Sequence, residues 1–199
     1  MYYHQISVLT ILLVVLTLGI VYVNTNVGLT LGATDTATAT VSATIPFCPQ
    51  IIVTPEKRIP PSNNNSIEIT VDIRPKNGSN LYSNTIIAND QGKAPLCPLP
   101  STIIPGNYDV LVKGLSHLRR IFPDVYFGGA GSSIDLNTPV LFAGDSHPSA
   151  DNYINSLDIA YEINHIYTQD LRADLNRDHI VNSLEFPTLI SHLYQTGDN

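Results

Sequence analysis

The chain has 199 residues, of which 43% are hydrophobic and 14% charged, and its net charge is −7. Seventeen acidic residues stand against ten basic ones, and Arg119-Arg120 is too short to be a basic patch, which argues against nucleic acid as a partner. The acidic excess lies wholly at one end: residues 144–199 hold nine acids against Arg172 and Arg177, whereas residues 1–143 hold eight of each sign.

An apolar run opens the chain. Ile6 to Val23 is 18 residues without a charge, no Lys or Arg precedes it, and the next charge is Asp35. The run is long for a signal-peptide core and marginal for a spanning helix. Residues 1–32 are therefore expected to form a signal peptide or a transmembrane anchor, with the membrane contacted through this N-terminal helix. Residues 33–46, nearly all Ala, Thr, Ser and Val, read as a linker.

Residues 47–143 read as one all-β sandwich domain. Ser66 to Ile73 alternates apolar and polar, which predicts a half-buried strand. Tyr108 to Lys113 predicts a second strand after a Pro105-Gly106-Asn107 turn, and Asn77-Gly78 and Gly128-Gly129 mark further turns. The phrase from Pro105 to Lys113 resembles small Ig-like sandwiches of the carboxypeptidase-regulatory and Cna-B kind. Cys48 and Cys97 lie in this region behind an export signal. That context favours a disulfide over two separate buried thiols, and neither Cys has a nearby metal-ligand partner. His117, Asp109, Asp124 and Asp135 are isolated polar residues, expected at the surface, and no catalytic motif is present.

The acidic tail carries a repeat. Ile154-Asn155-Ser156-Leu157-Asp158 is echoed 27 residues later by Val181-Asn182-Ser183-Leu184-Glu185. Counting from Asp174 as position 1 places Asp174, Asn176, Asp178, Ile180, Asn182 and Glu185 at positions 1, 3, 5, 7, 9 and 12. That is the spacing by which a twelve-residue loop wraps oxygen ligands around a calcium ion. Loop one is less regular, because twelve back from Asp158 is His147. Asp145, Asp151, Asn155 and Asp158 can converge if Ser146 to Ala150 bulges outward, so loop one is either a distorted site or a relic. Ile159, Ile163, Ile166 and Tyr167, and then Phe186, Leu189, Ile190 and Leu193, predict an amphipathic helix after each loop. Ser156 and Ser183 stand where N-caps are expected, and Pro187 falls within a first turn.

These residues resemble a type I dockerin, a family built of two tandem calcium loop–helix repeats. The resemblance covers residues 144–199, and loop two matches at every ligand position. His179 departs at position 6, where the family has Gly, and Glu185 replaces the usual Asp. The resemblance implies a small all-α module with Ca2+ as cofactor and a cohesin-like protein module as partner. It also implies recognition through positions 10 and 11 of each loop, here Ser156, Leu157, Ser183 and Leu184. The two leucines could equally cap the cores of their helices.

The fold class expected is thus multidomain: an N-terminal transmembrane or signal helix, an all-β sandwich, then a small all-α calcium-binding module. The function expected is that of a non-catalytic interaction protein, membrane-anchored or secreted at the cell surface, in a polysaccharide-related assembly. The alternative is a surface glycan-binding protein or small glycoside hydrolase whose β domain does the work.

Overall fold

The computed structural model describes residues 48–56, 66–128 and 132–199. The expected signal or anchor and the linker lie outside the described residues, as does Gly129 of one expected turn. All described residues belong to one compact unit, Pro46–Asn199.

Seven strands make two sheets. They are β1 (Gln50–Pro55), β2 (Ile67–Arg74), β3 (Tyr82–Ala88), β4 (Lys93–Pro95), β5 (Gly106–Gly114), β6 (Arg120–Phe127) and β7 (Ser133–Leu141). One sheet has the order β4-β1-β7, with β1 antiparallel to β4 and parallel to β7. The other is antiparallel throughout, in the order β3-β2-β5-β6. Ile67, Ile69, Val71 and Ile73 of β2 all face the core at 1% exposure or less, because period-two alternation sends them to one side of the pleat. Ile51 and Val53 of β1, Val110 and Val112 of β5, and Leu136 and Leu141 of β7 join them from both sheets. Tyr108 meets Phe127 edge to face at 5.5 Å in the same core. The Cys48–Cys97 disulfide, with Cα atoms 4.9 Å apart, links the entry to β1 with the exit from β4, two strands that already pair.

Two local readings differ from the structure. The Pro105-Gly106-Asn107 turn is displaced, since Gly106 and Asn107 already pair with Phe127 and Tyr126 in β5. Asp109 and His117 are buried, at 5% and 0% exposure. Asp109 sits where the β5–β6 register shifts, and its carboxylate accepts the Asp124 N–H at 3.2 Å, a bulge that leaves Asp124 at φ 59°.

Residues 144–199 hold two short helices, α1 (Ser156–Asn164) and α2 (Phe186–Ser191). They lie against the end of the sandwich. Leu118, Ile154 and Leu189 form a second core, with Phe142 and Ile159 packed on it, so the β5–β6 connection and both repeats share one apolar cluster. Polar contacts close the seam. Arg119 N–H donates to Asn152 Oδ1 at 2.7 Å, Ile121 N–H to Asp198 Oδ2 at 2.9 Å, and the Arg172 guanidinium to the Leu115 carbonyl at 3.1 Å.

The expected fold class is therefore corrected. The described residues are mostly β-sandwich, with only two short helices, and no described helix is long and apolar enough to cross a membrane. The tail is not a separate all-α module. Helices of nine and six residues bury too little surface between themselves, and the sandwich supplies the rest of their core.

Because Leu118 belongs to the sandwich and its partners to the repeats, Leu118→Ala should cost about 2–5 kcal/mol and destabilise both parts. Denaturant unfolding should show one transition at a lower midpoint. A sandwich transition left unmoved beside an earlier tail transition would show that the two parts do not share this core.

Candidate metal centre and docking face

Loop two folds around its own acids. The Asp174 carboxylate accepts the His179 N–H at 3.0 Å through Oδ2, Asn176 Oδ1 accepts the Asp178 N–H at 2.8 Å, and Asp178 Oδ1 accepts the Ile180 N–H at 3.0 Å. Glu185 Oε2 accepts the Asn182 N–H at 2.7 Å, and Asn182 Oδ1 accepts the Leu184 N–H at 2.9 Å. Each bond turns the backbone, and those accepted by Asp174, Asp178 and Glu185 use only one of the two carboxylate oxygens. His179 takes φ 75°, the left-handed conformation that explains why Gly is the easier residue at position 6.

Asp174, Asp178 and Glu185 each bring one oxygen to within 4.8 Å of the others. Asp174 and Glu185 are buried, at 1% and 0% exposure, and their Oδ1 and Oε1 atoms have no hydrogen-bond partner. Burial pushes the Glu185 carboxyl above its ordinary range, held back by the Asn182 N–H, with Asp178 and Asp174 adding repulsion. Two orphaned buried carboxylate oxygens beside a third carboxylate form a donor set that suits a hard divalent cation. The donors are all oxygen, which disfavours softer metals.

Loop one repeats three of these five bonds 27 positions earlier. Asp151 Oδ1 accepts the Tyr153 N–H at 3.1 Å, Asp158 Oδ2 the Asn155 N–H at 2.8 Å, and Asn155 Oδ1 the Leu157 N–H at 2.7 Å. Ala150 and Asn152 are left-handed, as are Arg177 and His179. Position 3 is Ser149, bonded to His147 instead, and position 1 differs too. Asn152 N–H, the counterpart of His179 N–H, donates to Asp145 Oδ2 at 3.1 Å. Asp145 thus reaches the first-ligand role from two residues further back. Gly144 lets it do so: its φ is 135°, and a Cβ there would stand 2.9 Å from Ile154 Cδ1. Asp145 Oδ2 also bonds the Lys113 ammonium. Burial raises the Asp145 carboxyl, and Lys113 opposes the rise.

The N-cap of α1 is Asn155, not Ser156, and Asp158 returns the bond to the Asn155 N–H in a capping box. Glu185, not Ser183, occupies the equivalent position before α2, and Pro187 sits in the first turn. Both helices end earlier than their apolar pattern. His165 and His192 leave helical geometry, at φ −110° and −109°, and Tyr167 and Tyr194 are left-handed at 65° and 69°.

The repeat is longer than the five-residue phrase reveals. Ile163-Asn164-His165-Ile166-Tyr167 corresponds to Ile190-Ser191-His192-Leu193-Tyr194, again 27 apart. The two halves pair through four backbone bonds in equivalent sets. Tyr167 N–H bonds the Val181 carbonyl and Val181 N–H the Thr168 carbonyl; Tyr194 N–H bonds the Ile154 carbonyl and Ile154 N–H the Gln195 carbonyl. Self-comparison at a 27-residue offset would have exposed this signal.

The amphipathic reading is partly inverted. Asp158 and Glu162 of α1 are the buried residues, while Leu157, Ile163 and Tyr167 are 50, 55 and 81% exposed. Leu184, Ile190 and Tyr194 match them at 62, 60 and 70%. Each repeat thus presents the same exposed apolar side chains. Leu157 and Leu184 are not core residues, and Ser156 and Ser183 beside them are exposed.

Glu162 is fully buried and pushed from its ordinary 4.5 up to about 8, first by burial, against a lowering by the Ser146 hydroxyl, with Glu185, Asp170 and Asp158 adding repulsion. Below pH about 4.5 folded and unfolded chains both carry the proton. Between 4.5 and about 8 only the folded chain keeps it, so stability falls as pH rises through that window. Glu162→Gln should remove this slope. In chelator at pH 8 it should be more stable than wild type by up to a few kcal/mol, and the gap should close near pH 4.5 in thermal melts. Equal melting temperatures at both pH values would show that Glu162 is ionised in the folded chain.

No protein-family model and no curated protein matches the chain. Solved structures do. One is a C-terminal interface mutant of a type II Cohesin-X-Dockerin complex from Acetivibrio cellulolyticus, with a TM-score of 0.53, 17% identity, and coverage of 76% of this chain and 97% of that one. Another is the N-terminal interface mutant of the complex, with a TM-score of 0.51, 18% identity and the same coverage. At this identity the likeness is one of fold. The matched chains come from cohesin–dockerin complexes.

Proposed function

We propose that this chain is a non-catalytic interaction protein that captures a cohesin-like protein module, with residues 144–199 acting as a dockerin-like calcium repeat seated on the 47–143 sandwich. The observation that carries the reading is the duplicated exposed set Leu157, Ile163 and Tyr167 with Leu184, Ile190 and Tyr194, held on a two-fold repeat of calcium-type loops. Apolar side chains beside polar serines are the ordinary makings of an interface centre. Similar fold in chains of a cohesin–dockerin complex supports a protein module as the partner. In loop two Asp174, Asn176, Asp178, Glu185 and the Ile180 carbonyl would hold Ca2+, with Asn182 bracing the loop through the Glu185 carboxylate. The disulfide supports export to an oxidising compartment, at the cell surface or beyond it.

Two experiments test the reading. Calcium should raise the melting temperature of the full chain, and Asp174→Asn or Asp178→Ala should abolish the rise. Identical melts in calcium and in chelator would refute the metal centre. Leu157→Glu with Leu184→Glu should abolish capture of a cohesin module while the calcium-dependent shift persists. Undiminished capture by that variant would place recognition elsewhere.

A further inference from the structure

Loop one and loop two differ in what compensates their buried acids. Loop two has no Lys or Arg ion-paired with its acids among the described residues; Arg177, within the loop, acts on Asp174 only through its field. Loop one has Lys113, which comes from the sandwich. Lys113 lies on β5 opposite Thr70 of β2, so its Cα is fixed by the centre of a four-stranded sheet. Its side chain is 14% exposed, and its ammonium bonds Asp145 Oδ2 and, at 3.0 Å, the His117 carbonyl. That carboxylate is the one holding the first-ligand role, since the same oxygen takes the Asn152 N–H; its Oδ1, like Asp174 Oδ1, is buried without a hydrogen-bond partner.

The last-ligand role differs as well. Glu185 of loop two keeps Oε1 without a partner. Its counterpart Asp158 has both oxygens engaged, Oδ2 by the Asn155 N–H and Oδ1 by the His147 N–H at 2.9 Å. His147 is available only because two extra residues separate Asp145 from the loop's other ligands. The insertion thus removes one oxygen from the loop's interior and shifts the first carboxylate toward β5. The three-carboxylate cluster found in loop two has no equivalent in loop one among the described residues.

We propose that the Lys113 ammonium is the resident cation of loop one, compensating the first-ligand carboxylate whose counterpart in loop two is left to a metal ion. An ammonium is a compact charge with three donors, able to bridge a carboxylate and a carbonyl as a hard cation does. The inference deepens the calcium reading by assigning the metal to loop two alone. The lysine's part in loop one stands without it. One consequence is that loop one and α1 are held to the sandwich whether or not calcium is present, and only the loop-two half answers to the metal.

Calorimetric titration of the full chain should give one calcium per wild-type molecule and two per Lys113→Met molecule. In an Asp174→Asn background the counts should be zero and one. In chelator, the amides of Asn152, Asn155 and Leu157 should be protected from hydrogen exchange in wild type and in Lys113→Arg. In Lys113→Met they should lose protection and regain it in calcium. Two ions in wild type would overturn the proposal, as would full loop-one protection in Lys113→Met in chelator. No ion in wild type would refute the calcium reading of loop two but leave the lysine to be judged by exchange. Should Lys113→Met not fold, wild type decides: calcium should shift the amide resonances of His179 and Asn182 and leave those of Asn152 and Asn155 in place. Shifts of equal size in both loops would overturn the proposal.

Discussion

Five carboxylates are buried to 1% exposure or less within residues 145–185: Asp145, Asp158, Glu162, Asp174 and Glu185. A buried ionised carboxylate is costly unless something compensates it, and the structure of the tail is largely a set of answers to that cost. Asp158 is met by two backbone N–H groups and Asp145 by an ammonium and an N–H. Glu162 is held as the neutral acid across much of the ordinary pH range. Asp145, Asp174 and Glu185 each keep one oxygen with no hydrogen-bond partner, and the two of loop two, clustered with Asp178, are where the proposed calcium belongs.

These answers also explain why the helices look inside out. In an ordinary two-helix unit, Ile163 and Ile190 would turn inward. Here the inward space is taken by the acids and their turns, and by a small apolar cluster to which each half contributes little. Leu189 fills the place that Glu162 holds in the first repeat, so the two halves match in backbone and differ in what they bury. The displaced isoleucines and tyrosines become surface, duplicated by the same 27-residue repeat. One arrangement therefore produces both the metal-type loops and the apolar face on which the proposed partner would sit.

The sandwich is more than a neighbour to this arrangement. It supplies Leu118 to the second core, Lys113 to Asp145, and backbone groups of Arg119 and Ile121 to Asn152 and Asp198. His192 of the second repeat stacks on Phe142 at 4.8 Å and bonds the Ala143 carbonyl at 3.0 Å. A pair of helices too short to stand alone is held against a larger β core. That is a useful property for a surface whose two halves present the same side chains.

Much of this was legible in the residues themselves. Alternation in Ile67 to Ile73 is a local property of the pleat, and it marks β2 without reference to any other strand. Ligand spacing from Asp174 to Glu185 is equally local, because Asp174, Asp178 and Glu185 each accept an amide two to five residues away. What the order of residues could not carry was every relation across long separations. The Asp145 carboxylate and the Lys113 ammonium lie 32 residues apart, and no spacing rule links them. The left-handed Gly144 that lets Asp145 take the first-ligand role, and the inward turn of Glu162, depend on what the folded sandwich places beside them. Sequence periodicity assigned Ile163 and Ile190 to a core. Tertiary packing gave that space to carboxylates, since a buried acid can be compensated by a bond, a proton or a cation, while an exposed isoleucine costs far less than an unpaired charge.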